Sequence, residues 1–523
     1  MRLYIIQISH HAFYVDLGAH QYHITATHYA DRASIFDCQG KALALNTYCL
    51  SAFVLPHHVR NREKLFTFFD HYFSYARSLF ESHDTKQFLF IKRRLTSEEQ
   101  NLIAREQISD MYLLKEPCRF YPCKAASPVI GITDIDNHGA FGIEQSHNAL
   151  LQGEPTCTML EKDARSGHFY FNKTAQKEGT SGAPLTLTLD GDIQFLVYHE
   201  LAETIAQFHA QEGAAVVMDP ADGSILAAVS FPCFDPENTV HLDIEHTKNK
   251  VIADCYELGS VMKVFAALAA LEEKVVTPQE LIDCKNSKTV YMDGRRINTW
   301  KEHGVIPFAE VIARSNNIGI ALVTKRLGEK LYDHYVRIGF GQKTGVELPG
   351  EEKGFVNPPE LWSKQSLISL SYGYEISQTL LQLATAFCMI AHDGCRVCPH
   401  IVQSEKNEQA FERLYSSETI AVMRDILEQT TAYGTARKAK IQGYRVMSKT
   451  GTANMLDDTG TYNPDKNIYT CAGIIEKGSY QRVIAVLIKE AAEKNLYASI
   501  VSAPLFERIA QRLLMHDLLL HFV

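Results

Sequence analysis

The sequence predicts an α+β fold, in which helices cover an antiparallel sheet behind a mixed, β-rich N-terminal module. Strand-like runs flank a long helical block between residues 184 and 523. Residues 1–165 alternate short β-like runs with one aromatic helical segment, and a polar stretch separates the two parts. Strands followed by helices and then again by strands are typical of α+β domains. A chain of 523 residues also exceeds the size that one hydrophobic core usually serves, so we expect two domains.

The N-terminal module, residues 1–165, contains no catalytic pattern. Its β-like runs include "HYADRASIF" and "PVIGITDI", and its helical segment is "KLFTFFDHYFSYARSLF". The composition then becomes rich in glycine, serine and lysine in "DARSG" and "KEGTSGAP", which indicates a connector. We therefore predict a connector at residues 166–183.

The C-terminal domain, residues 184–523, begins with a strand that turns at Asp190-Gly191 into an amphipathic helix. In "AAVVMDPADGSILAAVS", two apolar runs joined by Pro-Ala-Asp-Gly predict a β-hairpin. Helical periodicity dominates from Leu258 to about Ile390. Strands return in "YTCAGIIEKGSYQRVIAVLIK", and "PLFERIAQRLLMHDLLLHF" predicts a final helix. These elements together predict one sheet with helices packed on it.

The composition excludes several classes of function. The formal net charge is −9, and no run of lysine and arginine with interleaved aromatics stands out, so nucleic acid is not an expected partner. The twelve cysteines are scattered, and the C-x-x-C at Cys395 and Cys398 has no second pair to complete a zinc site. We therefore expect no metal, no cofactor and no required disulfide.

Ser260 and Lys263 form an S-x-x-K pattern at the start of the apolar helical stretch "VFAALAALEEK". A spacing of three places both side chains on one face of a helical turn, so the amine lies beside the hydroxyl. Burial by the apolar stretch would lower the pKa of the lysine and make it a base. Taken alone, the pattern is a weak signal and more often marks a helix N-cap serine followed by a solvated lysine.

Two further patterns follow in a fixed order. Ser315 and Asn317 form an S-x-N within an apolar helical stretch, where polar residues have little reason to pack. In "YRVMSKTGTANM", a K-T-G-T sequence is predicted to lie on a strand. Gly451 has no side chain, so a substrate backbone could approach that strand as an added β partner. The candidate residues of this third pattern are Lys449, Thr450, Gly451 and Thr452.

Two similar patterns are rejected by their position. A second K-T-G begins at Lys343 in a loop with many glycines and prolines, and a second S-x-N begins at Ser146 in the N-terminal module. Only Ser260, Ser315 and Lys449 occur in the order S-x-x-K, S-x-N, K-T-G within one domain. S-x-x-K together with K-T-G is a signature of penicillin-binding proteins and related β-lactamases.

The sequence is similar to the class B penicillin-binding proteins of the division and elongation type along essentially the whole chain. The resemblance includes "RASIFDCQGKALALN", "CRFYPC" and "GAFGIEQSHNALLQGE" in the N-terminal module. It continues in "VVMDPADGSILAAVSFP", "SYGYEISQTLLQLATAF" and "GTARKAK". The resemblance implies a serine β-lactamase-like transpeptidase domain on a pedestal module.

That resemblance also implies a role for each candidate residue. Ser260 is the nucleophile acylated by the D-Ala-D-Ala end of a peptidoglycan stem peptide, and Lys263 accepts its proton. Ser315 passes a proton to the leaving amine, Lys449 tunes the local field and Asn317 holds the acyl-chain amide. Thr450 and Thr452 bind the terminal carboxylate, and the backbone N–H groups of Ser260 and Thr452 form the oxyanion hole. β-Lactams, which mimic this substrate, are expected to acylate Ser260.

Alternative functions share the same acylation step. A β-lactamase or a D,D-carboxypeptidase would use water as the acceptor, but neither needs a large N-terminal module. A β-lactam-binding sensor or an inactive scaffold is a second class of alternative, and the three intact patterns count against it.

The resemblance further implies partners and a location. The substrates are peptidoglycan stem peptides and their lipid-linked precursor, and the expected partners are divisome or elongasome membrane proteins, including a glycosyltransferase. These lie at the outer face of the bacterial cytoplasmic membrane. No apolar run in the sequence reaches the roughly 20 residues that a membrane span requires. We therefore expect a natural N-terminal anchor upstream of Met1, the alternative being that Met1 is the true start.

Overall fold

The computed structural model describes residues 4–28, 30–86, 88–162, 169–238, 242–403, 412–457 and 459–520. The N-terminal module is built on a sheet in which β3 pairs with β2, β4 and β5, and β8 pairs in parallel with β2. A separate sheet has the order β1-β6-β7. The strands of this half are β1 (His23–His28), β2 (Ile35–Phe36), β3 (Ala42–Val54), β4 (Leu89–Lys92), β5 (Met111–Phe120), β6 (Thr156–Lys162), β7 (Phe169–Lys177) and β8 (Leu185–Thr186).

Helices α2 to α4 pack on one end of the large N-terminal sheet. Their apolar face, with Leu65, Phe69 and Phe80 fully buried, forms a small core with the ends of β3 to β5. The helices of this half are α1 (His11–Tyr22), α2 (Arg62–Tyr72), α3 (Ala76–Ser82), α4 (Ser97–Glu106), α5 (Ser127–Ile130), α6 (Gly142–Ser146) and α7 (Asn148–Gln152).

A buried ionic cluster holds the N-terminal module together. Glu144 accepts hydrogen bonds from Arg32 Nε at 2.6 Å and from Arg119 Nε at 2.8 Å, and all three side chains are almost completely buried. The three residues come from "RASIF", "CRFYP" and "GIEQ", three of the stretches that carry the family resemblance. Glu144 therefore supplies the counter-charge that the two buried guanidinium groups share.

Two features of this half were not predicted from the sequence, although neither tests the domain bounds or whether a disulfide is required. The segment predicted as a connector, 166–183, contains β7 (Phe169–Lys177), which pairs with β6; residues 163–168, in the "DARSG" stretch, lie outside the described residues. In addition, Cys49 and Cys118 form a disulfide across β3 and β5, with 6.1 Å between their Cα atoms. The pairing was not apparent from the sequence because the two residues are 69 positions apart.

The C-terminal domain contains a five-stranded antiparallel sheet of order β10-β9-β19-β18-β17. The predicted hairpin is confirmed as β9 (Glu212–Met218) and β10 (Ile225–Phe231), and the predicted late strands as β18 (Tyr462–Lys477) and β19 (Tyr480–Lys489). β17 (Arg445–Leu456) lies at one edge of the sheet. Short two-stranded pairs are made by β11 (Leu281–Asp283) with β14 (Val305–Pro307), β12 (Thr289–Met292) with β13 (Arg295–Asn298), and β15 (Phe355–Val356) with β16 (Ile376–Ser377).

Helices cover both faces of this sheet. One face packs on α8 and α18, and the other packs on a large helical core around α11 and α16. Residues Val264 to Ala270 of α11 are completely buried. The helices are α8 (Gly191–Phe208), α9 (Ile244–Thr247), α10 (Lys250–Ala253), α11 (Lys263–Glu272), α12 (Phe308–Ala313), α13 (Asn317–Leu327), α14 (Lys330–Ile338), α15 (Ser366–Ser371), α16 (Leu380–Ala391), α17 (Ser417–Ala432) and α18 (Ala498–Leu520).

The α+β fold class predicted from the sequence is confirmed, since an antiparallel sheet is covered by helices behind a β-rich module. The first strand assigned to the C-terminal domain, β8, instead pairs with β2 of the N-terminal module. Among the described residues, no helix has the length and apolar character needed to span a bilayer.

Candidate active site

The candidate nucleophile lies in a tight turn before a buried helix. Residues Gly259–Met262 form a 3₁₀ turn that leads directly into α11, and Lys263 is the first residue of that helix. Gly259 has a φ of +60°, and a Cβ there would lie 2.6 Å from the carbonyl oxygen of Thr452. Only glycine lets the turn approach β17 so closely. Lys263 Nζ donates a hydrogen bond to Ser260 Oγ within this turn.

Lys263 is completely buried, as the apolar sequence that follows it predicted. Burial, followed by the charge of Lys449, lowers the pKa of Lys263 well below its ordinary value. No carboxylate in the described part of the chain forms an ion pair with it. The ring of Tyr372 lies 6.0 Å from its Nζ. This environment favours the neutral amine, which can accept a proton.

Ser315 connects the two lysines of the site. Its Oγ lies 3.3 Å from Lys263 Nζ and 3.0 Å from Lys449 Nζ. The sequence suggested a helical position, but Ser315 lies between α12 and α13 with a left-handed φ of 55°. This backbone conformation ends α12, and α13 then starts as a separate helix with Asn316 as its N-cap. The serine is therefore held at a sharp turn that projects it toward both amines.

Asn317 begins α13, two residues after Ser315. Its Nδ2 donates a hydrogen bond of 2.6 Å to the carbonyl oxygen of Asn298, and its side chain is half-buried. That bond fixes the orientation of the amide and leaves Asn317 at the margin of the Ser315 cluster.

Lys449 extends from β17 into the same cluster. It is completely buried, and its Nζ also donates a hydrogen bond of 2.9 Å to the carbonyl oxygen of Thr450. Burial lowers the pKa of Lys449 from 10.5 to about 7. The structure thus brings together one residue from each of the three sequence patterns, Ser260, Ser315 and Lys449, with Lys263 between them.

The outer edge of β17 carries two backbone N–H groups, those of Thr450 and Thr452, that face away from β18. Ser448 N donates to Thr431 Oγ1 and Asn454 N to Tyr374 Oη, both away from β18. Backbone groups alternate in direction along an antiparallel strand, and the register with β18 is regular from Ser448 to Asn454. The N–H groups of Thr450 and Thr452 therefore point to the same open side, where an extended peptide could pair with them.

Gly451 also lies against the turn that carries Ser260. A Cβ at this position would lie 2.3 Å from the carbonyl oxygen of Leu258 and 3.0 Å from Val261 N. The turn that carries Ser260 therefore needs this space, and the approach of a substrate backbone to the strand stays a prediction. Thr450 Oγ1 donates to Thr435 Oγ1 at 3.1 Å, and Thr452 Oγ1 accepts from Ala498 N at 3.0 Å.

The two rejected patterns have local structural roles. Thr344 N, Thr344 Oγ1 and Gly345 N, of the second K-T-G, all donate to the carboxylate of Glu351, which orders the loop. Ser146 ends α6 and its hydroxyl contacts the ring of the adjacent His147. Neither pattern lies in the cluster around Ser260.

Sequence reasoning missed several residues that shape the site. Thr431 and Thr435, on α17 and the loop after it, bind β17, and Tyr374 binds its far end. Tyr374 and Tyr372 belong to "SYGYEIS", which we noted only as part of the resemblance. Gly373, which lies between these two tyrosines, could have indicated that this segment packs closely on the site. It has a φ of 89° and lies against the backbone of Gly259.

Two groups of described side chains have the spacing of a metal site: His199, Glu200 and Glu203, where Glu200 is ion-paired with Arg508 and Arg512, and Asp190, Asp192 and His516. Asp190 Oδ1 accepts hydrogen bonds from Asp192 N and Ile193 N and so caps α8. Asp192 also forms an ion pair with Lys41. The carboxylates therefore have structural partners of their own, and both groups lie outside the cluster around Ser260.

The sequence matches two protein-family models and several known proteins. Residues 213–511 match the penicillin-binding protein transpeptidase domain, and residues 27–187 match the penicillin-binding protein dimerisation domain. The chain is 29% identical over 442 residues to the peptidoglycan D,D-transpeptidase FtsI of Buchnera aphidicola, covering 82% of this chain and 75% of that protein. It is 28% identical to the probable peptidoglycan D,D-transpeptidase PenA of Neisseria meningitidis, over 97% of this chain and 88% of that protein.

A solved structure shows the same architecture. Penicillin-binding protein 3 of Mycobacterium tuberculosis, complexed with aztreonam, superposes with a TM-score of 0.71 and 26% identity, covering 94% of this chain and 97% of that one. The transpeptidase domain alone accounts for more than half of the present chain. On this evidence the chain belongs to the class B penicillin-binding proteins.

Proposed function

We propose that this protein is a peptidoglycan D,D-transpeptidase that works through an acyl-enzyme on Ser260. The observation that carries the proposal is the contact between the Ser260 hydroxyl and the amine of Lys263, whose pKa burial lowers well below its ordinary value. A neutral amine beside a serine hydroxyl is what an activated serine nucleophile requires.

The first half of the reaction forms the acyl-enzyme. Ser260 Oγ attacks the carbonyl carbon of the penultimate D-Ala while Lys263 takes the hydroxyl proton. The N–H groups of Ser260 and Thr452 stabilise the oxyanion, and such donors are typically worth about 3 to 4 kcal/mol of barrier each. When the tetrahedral intermediate collapses, the C–N bond breaks and Ser315 delivers a proton to the leaving amine of the terminal D-Ala.

The remaining candidate residues hold the donor peptide. Thr450 and Thr452 hydroxyls bind its terminal carboxylate, and its extended backbone lies along β17. Asn317 contacts the amide of the acyl chain. Lys449 supplies positive charge to Ser315 when protonated, and its hydrogen bond of 3.0 Å fixes the hydroxyl.

The second half transfers the acyl group to an amine of a neighbouring stem peptide. The amine nitrogen attacks the ester carbonyl, its proton returns through the Ser315–Lys263 pair, and Ser260 leaves as the free hydroxyl. We propose that this occurs at the outer face of the cytoplasmic membrane on a lipid-linked precursor, beside divisome or elongasome proteins including a glycosyltransferase.

A two-stage experiment tests the function. A fluorescent penicillin should label the wild-type chain, with the adduct located by mass spectrometry on the peptide that contains Ser260, and labelling that persists in Ser260→Ala would refute the assignment. A D-Ala-D-Ala peptide is then incubated with a D-amino acid as acceptor. Exchange of the terminal D-Ala supports a transpeptidase, whereas simple hydrolysis would indicate a carboxypeptidase.

A further inference from the structure

The end of β13 and the loop after it hold the turn that carries Ser315 from both sides. Trp300 Nε1 donates a hydrogen bond of 2.7 Å to the carbonyl oxygen of Arg314, the residue before Ser315. Asn317 Nδ2, two residues after Ser315, donates to the carbonyl oxygen of Asn298. A left-handed conformation at a residue other than glycine costs free energy and persists only where its surroundings impose it. These contacts supply that constraint for Ser315, whose φ is 55°.

The residue between Ser315 and Asn317 makes a third contact with this loop. Asn316 is completely buried, and its Nδ2 lies 3.1 Å from Nδ1 of His303. Its Oδ1 accepts a hydrogen bond of 2.8 Å from Gly319 N and so caps α13. Because a backbone N–H can only donate, the oxygen and nitrogen of the Asn316 side chain cannot exchange places without breaking this cap. The amide group therefore presents an N–H to His303.

That orientation determines the protonation state of His303. Its Nδ1 must accept the hydrogen bond, so the ring is neutral and carries its proton on Nε2. Nε2 is buried and makes no hydrogen bond within the described residues. A protonated ring would place an N–H donor at Nδ1 against the N–H donor of Asn316, and both donors would then be left unsatisfied in the interior. The contact therefore requires the neutral imidazole.

The charged groups around His303 also favour the neutral ring. Burial, followed by the positive charges of Arg314 and Lys301, lowers the pKa of His303 below its ordinary value of 6.5. The carboxylate of Glu310 and the backbone of Lys301 act in the opposite direction, and their effects are smaller. The ring is therefore neutral at neutral pH and takes up a proton only in acid.

We propose that His303 is a positioning residue for acylation, which holds Ser315 in place through Asn316 and releases it when the ring is protonated. Ser315 Oγ lies 3.3 Å from Lys263 Nζ and 3.0 Å from Lys449 Nζ, so a shift of the turn changes both distances. Displacements of about 1 Å in an active site can cost a hundredfold in rate. The inference rests on the proposed transpeptidase function and adds to it a pH dependence that is set by a group outside the catalytic cluster.

The test measures the rate constant of labelling by fluorescent penicillin at about pH 5 and about pH 8, on either side of the ordinary pKa of histidine. His303→Asn places a side-chain oxygen that does not titrate close to the position of Nδ1, so it keeps the acceptor. We expect its rate relative to the wild type to be about tenfold higher at the lower pH than at the higher one, the effect of one buried hydrogen bond. The comparison with the wild type removes the titration of Lys263 and Lys449, which both proteins share. His58→Asn, at an exposed histidine of the N-terminal module, is the matched control and should show the same relative rate at both pH values.

Two further variants test the same contact by different changes. His303→Phe keeps a ring but removes the acceptor, and we expect it to lose about tenfold at the higher pH. Asn316→Asp keeps the cap of α13 and offers a carboxylate to the protonated ring, so the loss of rate in acid should be smaller than in the wild type. Melting temperatures verify that each variant folds.

Three results would overturn the positioning role while labelling of the wild type still supported the function. They are an unchanged relative rate of His303→Asn at the two pH values, wild-type labelling by His303→Phe, and a steeper loss in acid for Asn316→Asp. Absence of labelling in the wild type at both pH values would overturn the proposed function as well.

Discussion

Lys449 Nζ lies 3.0 Å from Ser315 Oγ in an interior that lowers the pKa of Lys449 to about 7. In the unfolded chain this amine has its ordinary pKa of 10.5. Between these two values the unfolded chain binds a proton that the folded chain does not, so this group makes stability rise with pH. Its destabilising effect is therefore complete below pH 7 and disappears as the pH approaches 10.5.

Lys449→Met should consequently raise the melting temperature relative to the wild type, and by more at pH 6 than at pH 9.5. We expect a gain of a few degrees at pH 6, since about 1 kcal/mol shifts a melting temperature by about 2 °C or more in chains of this size. Lys343→Met, at an exposed lysine, is the control and should give no pH-dependent gain. An increase in melting temperature that became larger at higher pH would contradict a lowered pKa of Lys449.

Lys263→Arg should abolish acylation although arginine is also a long basic side chain. Arginine is not deprotonated in proteins, so it cannot take the proton from Ser260. Loss of a general base typically costs about a hundredfold or more. The measurement is the second-order rate constant for penicillin labelling, and a rate within fivefold of the wild type would mean that another group is the base.

Lys449→Ala and Lys343→Ala should differ strongly in the same labelling assay. The first removes the amine that holds Ser315, whereas the second alters an exposed residue of a loop that Glu351 orders. We expect a loss of about a hundredfold, typical of an active-site positioning group, for Lys449→Ala and none for Lys343→Ala. Similar losses in both variants would mean that the wrong K-T-G has been assigned to the site.

Gly451→Ala should impair acylation by displacing the nucleophile turn. The added Cβ would lie 2.3 Å from the carbonyl oxygen of Leu258, so the backbone before Ser260 must move. Because displacement of about 1 Å can cost a hundredfold in rate, we expect a loss of at least that size. Gly304→Ala is the control, since nothing lies within 4 Å of its Cβ. Normal labelling of Gly451→Ala by penicillin would contradict the contact.

Glu144→Gln should destabilise the N-terminal module, because two buried guanidinium groups lose their counter-charge. Removal of one partner of a buried ion pair typically costs about 3 to 5 kcal/mol. Chemical denaturation monitored by circular dichroism measures the loss. Glu154→Gln affects only an exposed pair with Lys177 and should leave the curve unchanged. A wild-type-like curve for Glu144→Gln would mean that the cluster does not stabilise the module.

Local sequence patterns predicted the elements whose residues are neighbours in the chain. The β9–β10 hairpin followed from the turn between two apolar runs, and the burial of Lys263 followed from the apolar residues after it. The order of the three patterns along the chain predicted that they would meet in one site. The distances between their side chains could not be predicted from local sequence.

The features that sequence reasoning missed depend on contacts between distant segments. The left-handed backbone of Ser315 reflects the junction of two helices, and "ARSNN" alone carries no glycine to mark it. The space that Gly451 leaves is filled by Leu258, almost two hundred positions earlier. The Cys49–Cys118 bond likewise requires the pairing of β3 with β5.

The short opening on β17 has a consequence for the behaviour of the protein in concentrated solution. An unpaired strand edge is a template on which other chains aggregate. Here Thr431 occupies the edge at Ser448 and Tyr374 occupies it at Asn454, so the gap admits only the two residues Thr450 and Thr452. A stem-peptide end fits a gap of this length, whereas a whole strand of a second molecule, usually about five residues long, does not. The hydrogen bonds from Ser448 and Asn454 would therefore keep the protein from polymerising through this edge.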